Sequence, residues 1–135
     1  MSVIVTDRGF GPDDWTGGFT PDDVAANDVA ALDLSSDTNP ATLTGRLAGV
    51  QIIRVDFPQF SDGRGFTIAR QLRRMGYAGR LRARGHVIAD QYAMARRCGF
   101  DEVEIDAALA ARQPQDQWLF RANWQAHDYQ ARLRG

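Results

Sequence analysis

The sequence contains no lysine, a single cysteine and no apolar run approaching the roughly 18 residues that a membrane-spanning helix needs. Cys98 alone excludes an intramolecular disulfide and a cysteine metal cluster. Residues 1–7 lack the basic start and the apolar stretch of a secretory signal. We therefore expect a cytoplasmic protein that does not contact a membrane.

Histidine is also scarce, with two residues and no cluster of carboxylates beside them, so we expect no zinc or iron site. The chain has no dinucleotide-binding fingerprint, and we expect no cofactor. Cys98 falls at the carboxyl end of a predicted helix, where the helix dipole disfavours a thiolate. Its spacing from other apolar residues directs it to the core, and we interpret it as a buried, unreactive thiol.

Charge is distributed unevenly along the 135 residues, although the net charge is only −1. Residues 1–49 carry two Arg and eight Asp (−6), residues 50–100 carry ten Arg and three Asp (+7), and the remainder carries four Arg and six acidic residues (−2). A near-neutral chain without aromatic residues interleaved among its arginines is not expected to bind nucleic acid. Either the acidic first third covers the basic middle third, or the middle third binds an external acidic partner.

Apolar patterns divide the middle of the chain into alternating strands and helices. A βαβαβ unit is predicted over residues 50–105, with strands at 50–57, 81–84 and 103–105 and helices at 65–75 and 86–98. A further strand at 29–34 brings the number to about four. Short links imply parallel neighbours. We predict a single α/β domain over residues 1–135, with a small, mostly parallel sheet covered by helices, either Rossmann-like or half-barrel-like.

The flanking segments are less regular. Residues 1–28 are predicted to form an irregular arm that Trp15 and Phe19 anchor on the domain by burying their rings. Residues 115–135 form a second, aromatic arm at the carboxyl terminus. This arm either packs on the domain or forms half of a contact in a homo-oligomer.

Ligands of open parallel sheets bind beyond the carboxyl ends of the strands, which selects Asp56 and Phe57, then residues 84–86, then Asp106. The loop Asp62-Gly63-Arg64-Gly65 lies at the same end and is the first candidate site. This loop opens a predicted helix. Free backbone N–H groups there and the Arg64 guanidinium would suit a small oxyanion such as sulfate, sulfite or a nucleotide phosphate. The alternative is that Ser61 or Asp62 only caps the helix while the glycines form the turn. Because its carboxylate would repel an anion, Asp62 could instead pair with a nearby arginine.

Arg80, Arg82 and Arg84 alternate along a predicted strand and therefore share one face of it. Burying three guanidinium groups is costly unless each is paired. Partners could come from Asp62, from Asp90 or from the acidic first third of the chain. Arg82 and Arg84 also lie toward the carboxyl end of the strand, and we include them in the candidate anion site.

A second group of candidates lies on the two predicted helices. His86 and Asp90 are four residues apart, so Asp90 either orients His86 as a general base or forms an ordinary surface pair with it. Arg70 and Arg73 lie on the outer face of the first helix, either in solvent or as a docking surface for an acidic protein. The remaining secondary candidates are Gln91 and Arg97.

An ordered series of short blocks resembles a known family. The blocks are Phe57-Pro58-Gln59-Phe60-Ser61-Asp62-Gly63-Arg64-Gly65-Phe66, Ala69-Arg70 with Leu72-Arg73, Gly79, Leu81-Arg82-Ala83, Gly85, Asp90-Gln91 and Arg97-Cys98-Gly99-Phe100-Asp101. They resemble a bacterial family of unknown biochemical function whose genes lie beside assimilatory sulfite reductase in the cysteine-biosynthesis clusters of proteobacteria. The family usually has an acidic residue in place of Arg80 and commonly an Asp in place of His86.

The resemblance implies an accessory or partner protein in reductive sulfite assimilation, with sulfite reductase or its electron donor as the partner. The residues by themselves leave a second function open. This is a small enzyme or binding domain for an anionic sulfur or nucleotide metabolite. It would use the loop of residues 62–65 together with Arg82 or Arg84.

Overall fold

A computed structural model of the protein describes residues 2–22 and 29–125, which form a seven-stranded sheet and four α-helices. The strands are β1 (Ser2–Thr6), β2 (Gly9–Gly11), β3 (Thr20–Pro21), β4 (Ala31–Leu34), β5 (Ile52–Phe57), β6 (Arg80–Gly85) and β7 (Glu102–Asp106). The helices are α1 (Arg64–Arg74), α2 (Tyr92–Cys98), α3 (Ala107–Arg112) and α4 (Gln115–Leu119), with short 3-10 helices at Pro40–Leu43 and Ala89–Gln91. None of the helices described is long and apolar enough to cross a membrane.

The sheet is larger and less parallel than the sheet of about four strands that the sequence predicts. Its order is β2-β1-β7-β6-β5-β4-β3, in which β3 to β7 run parallel and β1 pairs antiparallel with both β7 and β2. The additional strands belong to the predicted irregular arm of residues 1–28, of which 23–28 lie outside the described residues. This segment extends both edges of the sheet. Strands β2 and β3 span three and two residues and are too short to show an alternating pattern, whereas β1 contains the apolar run Val3-Ile4-Val5, which is compatible with a short strand.

The elements β5, α1, β6, α2 and β7 follow one another as predicted for the middle of the chain, but one helix boundary is wrong. The second helix was expected to begin at His86, whereas α2 begins at Tyr92. The N–H of His86 donates to the carbonyl oxygen of Phe57 at 2.9 Å, so the backbone still follows the sheet there. The side chain of Gln91 then accepts a hydrogen bond from the N–H of Ile88 at 3.0 Å, just before the 3-10 turn.

One face of the sheet carries the hydrophobic core, and we call it the helix face. Alternate residues of the central strands are buried on it, as Ile53, Val55 and Phe57 are in β5. The helices contribute Phe66, Ile68, Ala69 and Leu72 from α1 and Tyr92, Ala95 and Cys98 from α2. Cys98 is buried as expected, with 3% of its surface exposed.

The opposite face is formed by the intervening residues, most of which are charged. We call eight of them the ionic face: Asp33, Arg54, Asp56, Arg80, Arg82, Arg84, Glu102 and Glu104. The parallel register sets these residues beside one another, so that Arg82 lies between Arg54 on β5 and Glu102 on β7. Every buried side-chain nitrogen and oxygen of the described residues has a hydrogen-bond partner, which such a face requires.

The segment between β2 and β3 crosses the ionic face. Asp13 accepts a hydrogen bond from Arg82 at 3.1 Å, and Asp14 binds the neighbouring arginine of β6 at 2.5 Å. The ring of Phe19 lies over Arg54, with 3.9 Å between the ring centroid and the guanidinium carbon. Acidic residues from the first third of the chain therefore do cover part of the basic middle third.

The carboxyl-terminal arm packs on the helix layer as far as it is described. Trp118 of α4 is 1% exposed, and its ring meets Tyr92 edge to face with 6.0 Å between centroids. The indole N–H of Trp124 donates to Asp7 at 3.3 Å. Tyr129 and the rest of residues 126–135 lie outside the described part, so the predicted oligomer contact stays a prediction.

Candidate functional site

A groove runs along the carboxyl ends of the parallel strands, the edge at which ligands of such sheets bind. It consists of two cavities of about 330 and 550 Å³ that share Asp56 and Arg84 in their walls. We call the two cavities together the carboxyl-edge groove. Strand order follows the chain from β3 to β7 without reversal, so the groove is formed by the loops at this edge and not by a topological switch point.

The first cavity, of about 330 Å³, lies at the ends of β5, β6 and β7. Its polar wall is formed by Ser2, Asp56, Arg84, His86, Glu104, Asp106 and Arg112. The carboxylate of Asp106 is already engaged, because it accepts a hydrogen bond from the N–H of Leu109 at 2.7 Å and caps α3. The loosely held charges of this cavity are therefore its arginines and Asp56, whose nearest arginine nitrogen lies 3.5 Å away.

Arg84 is the least tightly held arginine of the ionic face. Its Nη1 lies 3.5 Å from Asp56 Oδ1 and its Nε lies 3.4 Å from Glu104 Oε2, beyond the usual hydrogen-bond range of roughly 2.7–3.2 Å. Its side chain is 47% exposed. The buried Arg82, by contrast, contacts Glu102 at 2.5 Å. Arg84 can therefore bind an anion without losing a close internal ion pair.

Arg112 ends α3 and lines the same cavity. Its side chain is exposed and forms no hydrogen bond or ion pair with any residue that the structure describes. No sequence pattern singles out Arg112 as a site residue. The available signal was weak, because an arginine in the last turn of a short helix also suits the helix dipole.

His86 lines the first cavity but does not act with Asp90. Its Nδ1 lies 3.3 Å from the carbonyl oxygen of Phe57, and its ring meets Phe60 edge to face with 5.0 Å between centroids. Asp90 instead forms an ion pair with Arg121. The predicted pairing of His86 with Asp90 is wrong because His86 precedes the helix, so four-residue spacing does not bring the two side chains together.

The second cavity, of about 550 Å³, lies at the ends of β3 and β4 and has an acidic wall. Besides the shared pair, its polar lining is formed by Asp22, Asp33, Ser35, Asp37 and Thr38. Asp33 is neutralised by Arg54, with 2.7 Å between nitrogen and oxygen. Asp22 and Asp37 accept hydrogen bonds from neighbouring hydroxyl groups instead. This half of the groove is therefore more acidic than the first.

The loop of residues 62–65 opens α1 as predicted, but it lines neither cavity of the groove. The carboxylate of Asp62 accepts hydrogen bonds from the guanidinium of Arg64 at 2.7 and 2.9 Å. These bonds, with a further one from the Arg64 backbone N–H, lower the pKa of Asp62 to about 2. Arg64 also donates to the hydroxyl of Ser36 at 2.9 Å. The sequence-based alternative in which Asp62 pairs with a nearby arginine therefore describes this loop.

The glycines of the same loop have a packing explanation. A Cβ at Gly65 would lie 2.4 Å from the ring of Phe57, so only glycine lets α1 approach the end of β5 this closely. Gly63 is the residue before the first helical turn, and no side chain caps the helix there. The N-cap position is thus Gly63 and not Ser61 or Asp62, although the Asp62 carboxylate does accept a hydrogen bond from the N–H of Arg64, the first residue of the helix, at 3.2 Å.

Arg82 lies in the middle of the ionic face and lines neither cavity, contrary to its predicted place in an anion site. It is fully buried and donates to Glu102 at 2.5 Å, to Glu104 at 2.9 Å and to Asp13 at 3.1 Å. Burial lowers the pKa of Arg82, but these carboxylates outweigh it and hold the pKa above its usual value. Asp62, named above as a candidate partner, pairs with Arg64 instead.

Two secondary candidates hold loops together. Arg73 donates to the carbonyl oxygens of Gly79 and Gly99, at 2.7 and 2.8 Å, and so fixes the loops before β6 and β7. Gln91 donates to the carbonyl oxygen of Phe60 at 2.9 Å, which joins two loops beside the first cavity. Arg73 is thus not the solvated helix residue that the sequence suggests.

The other two secondary candidates lie on the helix layer. Arg70 is on α1, and its Nε donates to the sulfur of Cys98 at 3.2 Å. Arg97 is an exposed residue of α2. Neither lines the carboxyl-edge groove. The predicted residues that the structure brings into one site come from those selected by the strand-end rule: Asp56, Arg84, Gly85, His86 and Asp106.

Comparison with known proteins assigns a family and no activity. No curated protein and no solved structure matches the sequence significantly. A family of bacterial proteins of unknown function (DUF934) matches residues 31–135, the part that runs from β4 onward. Because this match covers well over half of the 135 residues, the chain belongs to that bacterial family.

Proposed function

We propose that the protein binds a small anionic metabolite in the first cavity of the carboxyl-edge groove, with Arg84 and Arg112 holding its negative charge. One observation carries the proposal: a loosely paired arginine and an arginine without a described partner line the same cavity of about 330 Å³. A guanidinium binds carboxylates, sulfur oxyanions and phosphates through two parallel hydrogen bonds. Small-molecule sites range from roughly 300 to 1,000 Å³, and the cavity lies at the lower end of that range.

Three acidic residues, Asp56, Glu104 and Asp106, line the cavity with the two arginines, and Glu104 is balanced by arginines from outside it. Glu104 accepts hydrogen bonds from Arg82 at 2.9 Å and from Arg54 at 3.2 Å. Asp106 caps α3 through the N–H of Leu109. Asp56 is the acidic residue with the loosest contact, and it faces Arg84.

Sulfur oxyanions and their nucleotide conjugates are the first ligands to test. The support for this choice is the resemblance of residues 57–66 and the blocks that follow to proteins encoded beside assimilatory sulfite reductase. We therefore propose that the binding site serves reductive sulfite assimilation in the cytoplasm.

Isothermal titration calorimetry with sulfite, sulfate and adenylyl sulfate tests the site. Binding by the wild-type protein should weaken about tenfold or more in Arg84→Gln and in Arg112→Gln, because each removes a charge-assisted pair. The matched control is Arg74→Gln, which removes an exposed arginine of α1 outside the groove. Unchanged affinity in the Arg84→Gln/Arg112→Gln double variant would refute the site, and no binding of any of these anions would refute the ligand class.

An accessory role in the same pathway is the second candidate, and the family resemblance favours it. A tagged full-length chain should then retain sulfite reductase or its electron donor from an extract of cells grown on sulfate. Retention should be unaffected by Arg84→Gln if docking and ligand binding are separate functions. If neither protein is retained, the accessory role is refuted. The anion site is then tested by calorimetry alone.

A further inference from the structure

We propose that the carboxyl-edge groove recognises an α-amino acid that carries a second anionic group on its side chain. The inference rests on the proposed anion site and deepens it by naming the ligand class. In this arrangement the α-carboxylate binds Arg84, the α-ammonium binds Asp56, and the side-chain anion binds Arg112.

The first argument is the position of the pair formed by Asp56 and Arg84. These two side chains, with 3.5 Å between their nearest polar atoms, stand where the two cavities meet. The carboxylate and the ammonium of an α-amino acid are attached to the same carbon atom. A site that binds both groups therefore needs a cation and an anion side by side. Arg84 and Asp56 provide them in the wall that the two cavities share.

The second argument is the looseness of the pair. Asp56 and Arg84 are 38% and 47% exposed, whereas Arg82 in the same face is fully buried and has carboxylates at 2.5 and 2.9 Å. A zwitterion inserted between Asp56 and Arg84 replaces one long contact with two closer ones, so neither charge is left without a partner. A simple anion satisfies Arg84 but adds a second negative charge beside Asp56, which Coulomb repulsion disfavours.

The third argument concerns the direction of the side chain. The second cavity carries Asp22 and Asp37, whose carboxylates accept side-chain hydrogen bonds from hydroxyl groups alone among residues 2–22 and 29–125. An anionic side chain is disfavoured there. The first cavity also contains Glu104 and Asp106, but it offers a second arginine, Arg112, which the lining of the second cavity lacks. An anionic side chain is therefore directed into the first half of the groove.

Cysteate and 3-sulfopropionate form a matched pair of probes, since they differ by the α-amino group. Calorimetry on the full chain at pH 7 should show cysteate binding about tenfold tighter than 3-sulfopropionate, the effect of one charge-assisted pair. In Asp56→Asn this preference should shrink to about twofold or less, while inorganic sulfate binds at least as well as before. Asp62→Asn is the matched control, because its carboxylate pairs with Arg64 outside the groove.

The outcomes separate this inference from the function on which it rests. Equal affinity for cysteate and 3-sulfopropionate, with sulfate still bound, overturns the amino-acid assignment and leaves the anion site standing. A second result also overturns the role of Asp56. In that result Arg84→Gln binds none of the three ligands, but Asp56→Asn still prefers cysteate. Absence of binding by any probe overturns both proposals. Circular dichroism of each variant confirms that it is folded.

Discussion

The two faces of the sheet use the same strands in opposite ways. On the helix face β5 presents Ile53 and Val55, and one residue along it presents Arg54 and Asp56 to the ionic face. Apolar side chains tolerate many neighbours, so burial alone stabilises the helix face. On the ionic face each guanidinium needs a carboxylate within hydrogen-bond distance. The ionic face therefore depends on which residues of neighbouring strands lie side by side. The helix face thus depends on the apolar area that it buries, whereas the ionic face depends on the register of its strands.

The ionic face is balanced in charge within the strands themselves. It contains four arginines, Arg54, Arg80, Arg82 and Arg84, and four carboxylates, Asp33, Asp56, Glu102 and Glu104. A slip of one residue between β6 and β7 would turn every arginine of β6 to the helix face. Buried ion pairs contribute little net stability but strongly penalise a missing partner. We infer that this face mainly fixes the strand register.

Arg82→Met should have the largest effect on stability. It leaves Glu102 and Glu104, which are 4% and 5% exposed, short of a positive partner. The free energy of unfolding should fall by about 3–5 kcal/mol, the usual result of removing one partner from a buried ion pair. Urea denaturation measures this change in the free energy of unfolding. Arg82→Met/Glu104→Gln should recover part of the loss by restoring neutrality, and a wild-type stability for Arg82→Met would contradict the coupling of this face.

Leu72→Ala is the matching change on the helix face. Leu72 is fully buried in α1, and its truncation should lower the free energy of unfolding by about 2–5 kcal/mol through lost burial and a cavity. Unlike the loss at Arg82, this one should not change with salt concentration, because no charge is involved. A strong salt dependence of the Leu72→Ala effect would break the contrast between the two faces.

Asp13→Asn tests the acidic segment that covers the ionic face through pH. Burial raises the pKa of Asp13, but the hydrogen bonds from Arg82 and from the N–H of Trp15 outweigh it, so the pKa lies below its usual value. The stability contributed by a carboxylate with a lowered pKa is present above its unfolded pKa, near 3.9, and is lost as the pH falls through the folded pKa. Asp13→Asn should therefore reduce stability at pH 7 and lose less than the wild type on acidification to pH 2. Parallel pH profiles for the two proteins would exclude this role.

Asp62→Asn should have the smallest effect. The partner of Asp62, Arg64, is 58% exposed, and solvent screens such pairs. We expect no resolvable change in the urea midpoint at pH 7, in contrast with Arg82. A double-mutant cycle of Asp62→Asn and Arg64→Gln checks this, and a clear coupling energy would show that surface pairs also stabilise this fold.

The helix face could be predicted from sequence, because β5 and α1 each contain a complete apolar pattern. The partners of Arg82 could not, because neither β6 nor β7 specifies by itself which residue of the other it faces. The sequence does contain one pattern that indicates these partners. Glu102 and Glu104 alternate along β7 in the same way as the arginines along β6, and two such strands side by side match in charge.

The candidate site was only partly predictable. The strand-end rule identified Arg84, whereas Arg112 enters the cavity through the fold of the segment after β7, which no local pattern specifies. The glycine-rich loop of residues 62–65 was misleading, since Gly65 is needed for the approach of α1 to Phe57 and not for a ligand.

The pairing of β1 with β7 has a consequence for the order of events during synthesis. Ser2 lies opposite Asp106, so β1 waits for a partner strand that is made more than a hundred residues later. Strands β3 to β6 each lie beside the next strand in the chain and can pair as they emerge. We expect this parallel portion to assemble first and β1 and β2 to join last, which leaves the ionic face exposed to water until β7 has been made and β1 can pair with it.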